Sequence, residues 1–331
     1  MKSIIKNIID AFKDNLVIIV IFSLLLASEV YQLDYSIYSP GGLIKVDDRI
    51  ENGLYESSGS FNMTYVTYRK GSLFNLLVAK IMPSYDIVKD DDIKLTNEEL
   101  IDTFNRNKIL IEQAVSNATY VSFKYANKEL NINEENSYIY YVDESATTDL
   151  KVGDKIIACD SNKTSSFDEI TKCIHSHEVG DDVSLSIVRG NKEINVKSKI
   201  QDGNIIGVLI SRIFKYDLNP NIKYSYDSSE SGSSGGLMLA LAMYNSLVEE
   251  DITKGMTIAG TGTIELDGSV GEISGVKYKI MGAVNNHIDL FIIPSDNYEE
   301  AKQVIEENNY DIKLLKANTF EQVLNDLKNY N

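Results

Sequence analysis

Ser231-Gly232-Ser233-Ser234-Gly235-Gly236-Leu237-Met238-Leu239-Ala240-Leu241-Ala242-Met243-Tyr244 joins a glycine- and serine-rich turn to an apolar run long enough for a buried helix. That layout exposes a side chain at a helix N-terminus. Downstream lie Gly260-Thr261-Gly262-Thr263-Ile264, Asp267-Gly268-Ser269-Val270-Gly271 and Gly275-Val276-Lys277-Tyr278-Lys279. The glycines admit three chemistries. A phosphate loop needs Gly-x-x-x-x-Gly-Lys followed by Ser or Thr, and no such run exists, so no nucleotide is expected. A dinucleotide site needs Gly-x-Gly-x-x-Gly between strand and helix, which Gly232-Ser233-Ser234-Gly235-Gly236 does not supply. The third is a nucleophile turn, in which small residues admit a substrate backbone and Ser234 sits where free amides and the helix dipole stabilise an oxyanion.

A serine nucleophile needs a base. With only three histidines (His175, His177 and His287) a Ser-His triad is poorly supplied. A lysine in an apolar, water-poor pocket gives up its charge readily and can accept the serine proton. Lys279, followed by Ile280 and Met281, lies in the first turn of an expected helix, where the dipole further disfavours its charge. Lys277 is two positions away and cannot share that helical face.

Outward from this stretch the pattern alternates. Gly207–Ile210, Ile222–Tyr226, Met256–Ala259, Leu290–Ile293 and Ile312–Leu315 read as strands, and Gly235–Val248, Lys277–Val284, Tyr298–Asn308 and Thr319–Lys328 as helices, which predicts an α/β layer domain over 203–331. Residues 119–202 read as a small, mainly-β module. Ser137–Val142 is a strand, Leu150–Ile157 a turn entering another, Ser166–His175 a helix, and Gly180–Gly190 a returning strand. This order resembles a PDZ domain, which implies either recognition of a partner's C-terminal strand through backbone amides or a structural or substrate-gating role. The glycine-rich carboxylate loop of such domains is replaced here by Glu134-Glu135-Asn136-Ser137. Residues 36–118 show strand-like runs, a helix over Leu73–Ile81 closed by Pro83, an acidic surface stretch Asp86–Asp92 and a helix from Asn97 to Ala118, with no chemistry of their own.

Residues 1–35 carry Lys2, Lys6 and Lys13 before the apolar run Leu16–Ala27, with Glu29 and Asp34 after it. These flanks predict an uncleaved transmembrane anchor with the remainder of the chain outside the cytoplasm. The competing reading is a signal peptide cut after Ala27, for which Leu25 spoils the small-x-small pattern. The net charge of −17 and the absence of a Lys/Arg cluster exclude a nucleic-acid partner. Two cysteines, Cys159 and Cys173, cannot build a disulfide scaffold; a single bridge is open to them, but half-buried thiols are expected. Cys173, His175 and His177 lack a fourth ligand, so no metal is expected.

In order, Gly232-Ser233-Ser234-Gly235-Gly236-Leu237-Met238, Thr261-Gly262-Thr263-Ile264, Gly268-x-Val270, Ile273-Ser274-Gly275-Val276-Lys277-Tyr278-Lys279-x-x-Gly282-Ala283 and Ile292-Ile293-Pro294 resemble the Lon-type serine–lysine peptidase domain. With the amino-terminal span and the PDZ-like module, the whole chain resembles the membrane-anchored PDZ–Lon proteases of Gram-positive bacteria. The resemblance implies Ser234 as nucleophile, Lys279 as base and Thr261 as the residue that contacts the base. It implies an ATP-independent endopeptidase without cofactor, acting on extracytoplasmic, membrane-linked or secreted proteins or peptides; Lon-type domains often form rings, and a homo-oligomer is left open here. Two positions depart from the family's Pro-Ser-Ala-Gly: Ser233 replaces proline and Gly235 replaces alanine, so Ser231 and Ser233 become rival nucleophile candidates beside Gly232. The competing class is a membrane-anchored binding module whose peptidase fold is silent.

Overall fold

The computed structural model describes residues 13–92, 99–164 and 166–330. In chain order they form α1 (Leu16–Val30), β1 (Tyr35–Lys45), β2 (Ile50–Glu51), β3 (Ser60–Lys70), α2 (Leu73–Ile81), β4 (Asp86–Lys89), α3 (Leu100–Tyr125), β5 (Glu129–Val142) and β6 (Lys155–Cys159). There follow β7 (Asn162–Lys163), α4 (Phe167–His175), β8 (Asp182–Arg189), β9 (Lys192–Lys199), β10 (Val208–Asn219), β11 (Lys223–Tyr224) and α5 (Gly236–Leu247). The chain closes with β12 (Thr257–Gly260), α6 (Val276–Val284), β13 (Leu290–Pro294), α7 (Tyr298–Asn308), β14 (Leu314–Ala317) and α8 (Phe320–Lys328). Two compact units result: Met1–Gly41 with Val66–Leu95, and Gly42–Tyr65 with Thr96–Asn331.

In the first unit, α1 is apolar on all sides, as its run of β-branched and leucine residues dictates. At 15 residues it measures about 22 Å, short of a hydrocarbon core of about 30 Å. No helix among the described residues is long and apolar enough to cross a membrane. Lys2 and Lys6, which set the expected orientation of the anchor, lie outside the described residues. Helix α2 occupies the expected span, capped by the Ser72 hydroxyl accepting from Asn75 N at 3.1 Å and ending before Pro83. Tyr35–Tyr38 of β1 pair antiparallel with Asp86–Lys89 of β4. The expected acidic surface stretch Asp86–Asp92 departs from that reading at one residue. Asp90 is buried, accepts from the Ser36 hydroxyl at 2.6 Å and is paired with Lys70, because a buried carboxylate requires such partners.

In the second unit, β3, β12, β13 and β14 lie side by side and parallel, with Ser60–Met63 opposite Thr257–Gly260, Ile258–Gly260 opposite Leu290–Ile292, and Phe291–Pro294 opposite Leu314–Ala317. All five residues of β13 are buried, as expected of a parallel strand covered on both faces. Helix α5 is buried along all of its length except Ser246. Its contiguous apolar sequence leaves no polar stripe for solvent. Helix α3 packs Ala118 and Val121 into the same core. That packing carries it beyond its expected end at Ala118 to Tyr125, while the expected start at Asn97 lies outside the described residues. Residues more than a hundred positions before α5 therefore complete the core around it.

An antiparallel sheet of order β10-β5-β6-β8-β9, with α4 beside it, forms the PDZ-like part of this unit. Glu134-Glu135-Asn136-Ser137 is an interior stretch of β5, paired with β10, rather than a loop. Glu134 sits between Lys215 at 2.7 Å and Lys155 at 3.2 Å, which draw its carboxyl down to about 2. The expected free thiols are also corrected: Cys159 and Cys173 form a disulfide. Cys159 ends β6 and Cys173 lies in α4, and their Cα atoms are 6.4 Å apart, within bridging reach.

Candidate active site

The turn before α5 is built by main-chain geometry. Gly232 has φ +85°, a conformation that favours glycine, and donates its amide to Asn107 O at 3.1 Å. Gly236 N donates to Ser233 O at 3.0 Å, closing the turn that carries Ser234 into the helix. The loop after β12 then zips onto this turn. Gly262 N donates to Ser234 O at 2.7 Å, and Leu237 N donates to Gly262 O at 3.0 Å. Thr261 N is held in turn by Ile292 O of β13 at 3.0 Å. The parallel sheet thus fixes Thr261, and Thr261–Gly262 fixes the serine turn.

Lys279 meets this junction from α6. Its Nζ donates to Thr261 Oγ1 at 2.9 Å, and that hydroxyl donates to Ser234 O at 3.0 Å. Lys279 is 3% exposed, and burial alone lowers its ammonium from 10.5 to about 8. The entry to α6 is rigid: Gly275 has φ +75°, and Asn297 clamps Ile273 by accepting its N–H at 2.8 Å and donating to its O at 3.0 Å. Lys277, by contrast, is half-exposed and lies over the Tyr278 ring.

Of the three serines of the turn, Ser231 is exposed, Ser233 is engaged in the turn through its carbonyl, and only Ser234 has its main chain bonded to Thr261 and Gly262. Ser234 is half-buried. No hydrogen bond joins its hydroxyl directly to Lys279 among the described residues. Thr261 links Lys279 to the Ser234 carbonyl, not to the hydroxyl. The amides of Ser234 and Gly235 have no main-chain acceptor among the described residues, which leaves them available at the α5 N-terminus.

Two residues of the surroundings are invisible in the sequence. A Cβ placed on Gly235 would lie 2.7 Å from Met63 Sδ. Met63 thus fills the space where an alanine methyl would stand. It is set there by the pairing of Met63 with Gly260, while Thr64 Oγ1 donates to Gly260 O at 3.2 Å. Ala114 of α3 also approaches the turn, its Cβ 3.6 Å from a Cβ placed on Gly236. Both belong to segments remote in sequence from the motifs, and nothing in their local pattern marks them. Elsewhere, Cys159, Cys173 and Asp160 present three possible metal-ligating atoms within 4.8 Å of one another, but the two sulfurs are spent on each other.

Residues 228–329 match the family described as the Lon protease (S16) C-terminal proteolytic domain, and residues 120–200 match the PDZ domain family. The chain carries a serine peptidase domain of the Lon type together with a PDZ domain. Among curated relatives, Lon protease of Mesomycoplasma hyopneumoniae is 33% identical over 92 residues, covering 28% of this chain and 10% of that protein. Lon protease 1 of Thermus thermophilus is 34% identical over 99 residues, covering 30% of this chain and 12% of that protein. The chain therefore spans about a tenth of the length of these relatives. Among solved structures, the PDZ domain of the SdrC-like protein from Listeria monocytogenes is 26% identical, covers 24% of this chain and 92% of its own, and has a TM-score of 0.22.

Proposed function

We propose that the chain is an endopeptidase that cleaves polypeptides with Ser234 as nucleophile and Lys279 as general base, without a nucleotide. The observation that carries this reading is the buried lysine whose Nζ rests on Thr261, itself hydrogen-bonded to the carbonyl of the candidate nucleophile. The Ser234 hydroxyl loses its proton to neutral Lys279 as its oxygen attacks the substrate carbonyl carbon. The resulting oxyanion faces the amides of Ser234 and Gly235 at the positive end of α5. Lys279 returns the proton to the departing amine, leaving an ester on Ser234 that water hydrolyses with Lys279 again as base. Thr261 accepts one hydrogen of Nζ and so aims the lone pair; it is a positioning residue.

The reading extends to location. The apolar α1 attaches the chain to a membrane, the peptidase and PDZ parts face outside the cytoplasm, and substrates are membrane-linked or secreted polypeptides. The peptidase part draws on residues 203–331 together with β3 and α3. The PDZ part admits substrate strands, and several copies of the chain form a homo-oligomer. The test is cleavage of casein and of a peptide library by the purified full chain in detergent, with Ser234→Ala and Lys279→Ala for comparison. Cleavage lost in both variants supports the assignment. Cleavage unchanged in Ser234→Ala removes the nucleophile, and an inactive parent chain that still captures peptides makes it a binding module.

A further inference from the structure

Helix α2 exposes an apolar stripe that no part of its own unit covers among the described residues. Leu73, Leu77 and Ile81 are 56%, 51% and 79% exposed and follow one another at the four-residue spacing of one helical face. Phe74 (41%) flanks them on one side, Met82 (47%) continues the stripe, and exposed Lys80 borders it on the other. Three exposed leucine and isoleucine side chains in register on so short a helix call for a non-aqueous cover.

What covers them follows from how α2 is tied to α1. Glu29, in the last turn of α1, accepts from the Ser72 hydroxyl at 2.8 Å and from Asn75 Nδ2 at 3.2 Å, both at the start of α2. The segment between is clamped by main chain: Leu33 N donates to Gly71 O at 2.8 Å, and Gly71 N donates to Tyr35 O at 2.7 Å. Gly71 allows this approach because a Cβ there would lie 2.8 Å from Tyr35 O. The end of α1 and the start of α2 are therefore one rigid corner. Tyr31, 76% exposed, and Tyr35, 36% exposed, stand at that corner, the residue type found where hydrocarbon gives way to headgroups.

We propose that α2 lies in the interfacial layer of a phospholipid bilayer, with Leu73, Leu77 and Ile81 turned into the acyl boundary beside the point where α1 leaves it. This inference rests on the reading of α1 as the membrane attachment. An interfacial helix buries its apolar face to a depth of about 5–10 Å and keeps its basic side chains at headgroup level, which suits Lys80 at the edge of the stripe. With α1 alone the unit would be tethered by one apolar rod; with α2 it is also oriented, because two helices joined at a fixed corner define a plane.

The chain contains no tryptophan, so a single introduced one reports its own surroundings. Full-length Leu77→Trp and, independently, Ile81→Trp are reconstituted into vesicles of phosphatidylcholine and phosphatidylglycerol, with and without acyl-brominated phosphatidylcholine. Val179→Trp, at a position 54% exposed in the PDZ part, is the comparison. The proposal expects a blue-shifted emission quenched roughly twofold by the bromines in Leu77→Trp and Ile81→Trp, and little quenching in Val179→Trp. Vesicle-bound Leu77→Trp and Ile81→Trp chains whose emission stays unquenched overturn it; a blue shift without quenching assigns the stripe to a second copy of the chain. Equal quenching in all three variants overturns it as non-specific adsorption. Failure of the full chain to float with vesicles overturns the α1 reading and this inference together, while casein cleavage, measured separately, reports on the peptidase.

Discussion

Replacing Lys279 by methionine should abolish cleavage and at the same time stabilise the fold. Methionine approximates the length of the lysine stem but carries no charge to bury. The fall of the Lys279 ammonium from 10.5 to about 8 corresponds to about 3 kcal/mol of folding free energy withheld at neutral pH, where the amine is charged in both the folded and unfolded chain. Removing the 2.9 Å hydrogen bond to Thr261 gives back about 1 kcal/mol of that gain. The net expectation is about 2 kcal/mol of added stability at pH 7. Across the window from about 8 to 10.5 the unfolded chain holds a proton that the folded chain has released. Parent stability therefore rises with pH through that window, and the advantage of Lys279→Met disappears above it. Hydrogen exchange of the α6 amides, read at pH 7 in parent, Lys279→Met and Lys277→Met, measures this locally, without requiring the whole chain to unfold in one step. Slower exchange in Lys279→Met alone is the expected result. Faster exchange in Lys279→Met, or retained cleavage, would show that a buried, disfavoured amine is not the base.

The same shift sets a rate profile: kcat/KM should climb about tenfold per pH unit at low pH and level off above a midpoint near 8. A profile centred near 6.5 instead would point to histidine chemistry. Gly235→Ala should displace Met63 and not break the turn, at a cost of about 1 kcal/mol or less, because its methyl meets only Met63 Sδ, near the end of a flexible side chain; Met63→Ala in the same chain should remove that cost. Denaturation and cleavage assays of the two single variants and the double variant check this coupling. Reducing the Cys159–Cys173 bridge, 14 residues apart, should destabilise the PDZ part by about 3 kcal/mol; casein cleavage should persist, because the bridge is remote from α5 and α6 in sequence and core. Asp154→Ala should cost the PDZ part about 3–5 kcal/mol, measured by urea unfolding, since it removes a buried carboxylate bonded to Arg189 at 2.6 and 2.7 Å.

The sequence reveals the elements whose signals are local. The unbroken apolar run after Gly236 reads only as a buried helix, and the strand Leu290–Ile293 reads as covered on both faces because it contains no polar alternation. The Ser234, Thr261 and Lys279 positions are legible through ordered motifs, and the structure brings Lys279, Thr261 and the Ser234 main chain into one hydrogen-bonded series. Long-range pairing is what escapes. Nothing in Phe61-Asn62-Met63-Thr64 announces that it lies against Thr257–Gly260, since many partners satisfy a β-branched strand equally well. Glu134-Glu135 reads as a loop because paired acids seldom sit inside strands; the cross-strand lysines that neutralise Glu134 come from β6 and β10, remote in sequence. The disulfide escapes too, because the cysteine count says nothing about Cα separation.

Covalent labelling of the full-length chain with a serine-reactive phosphonofluoridate, followed by peptide mapping, identifies the nucleophile without any knowledge of the substrate. The account expects a single adduct on Ser234, not on Ser231 or Ser233, forming with a pH midpoint near 8 and absent in Lys279→Met. An adduct on a neighbouring serine, or labelling of Ser234 that is as fast in Lys279→Met as in the parent, would contradict it.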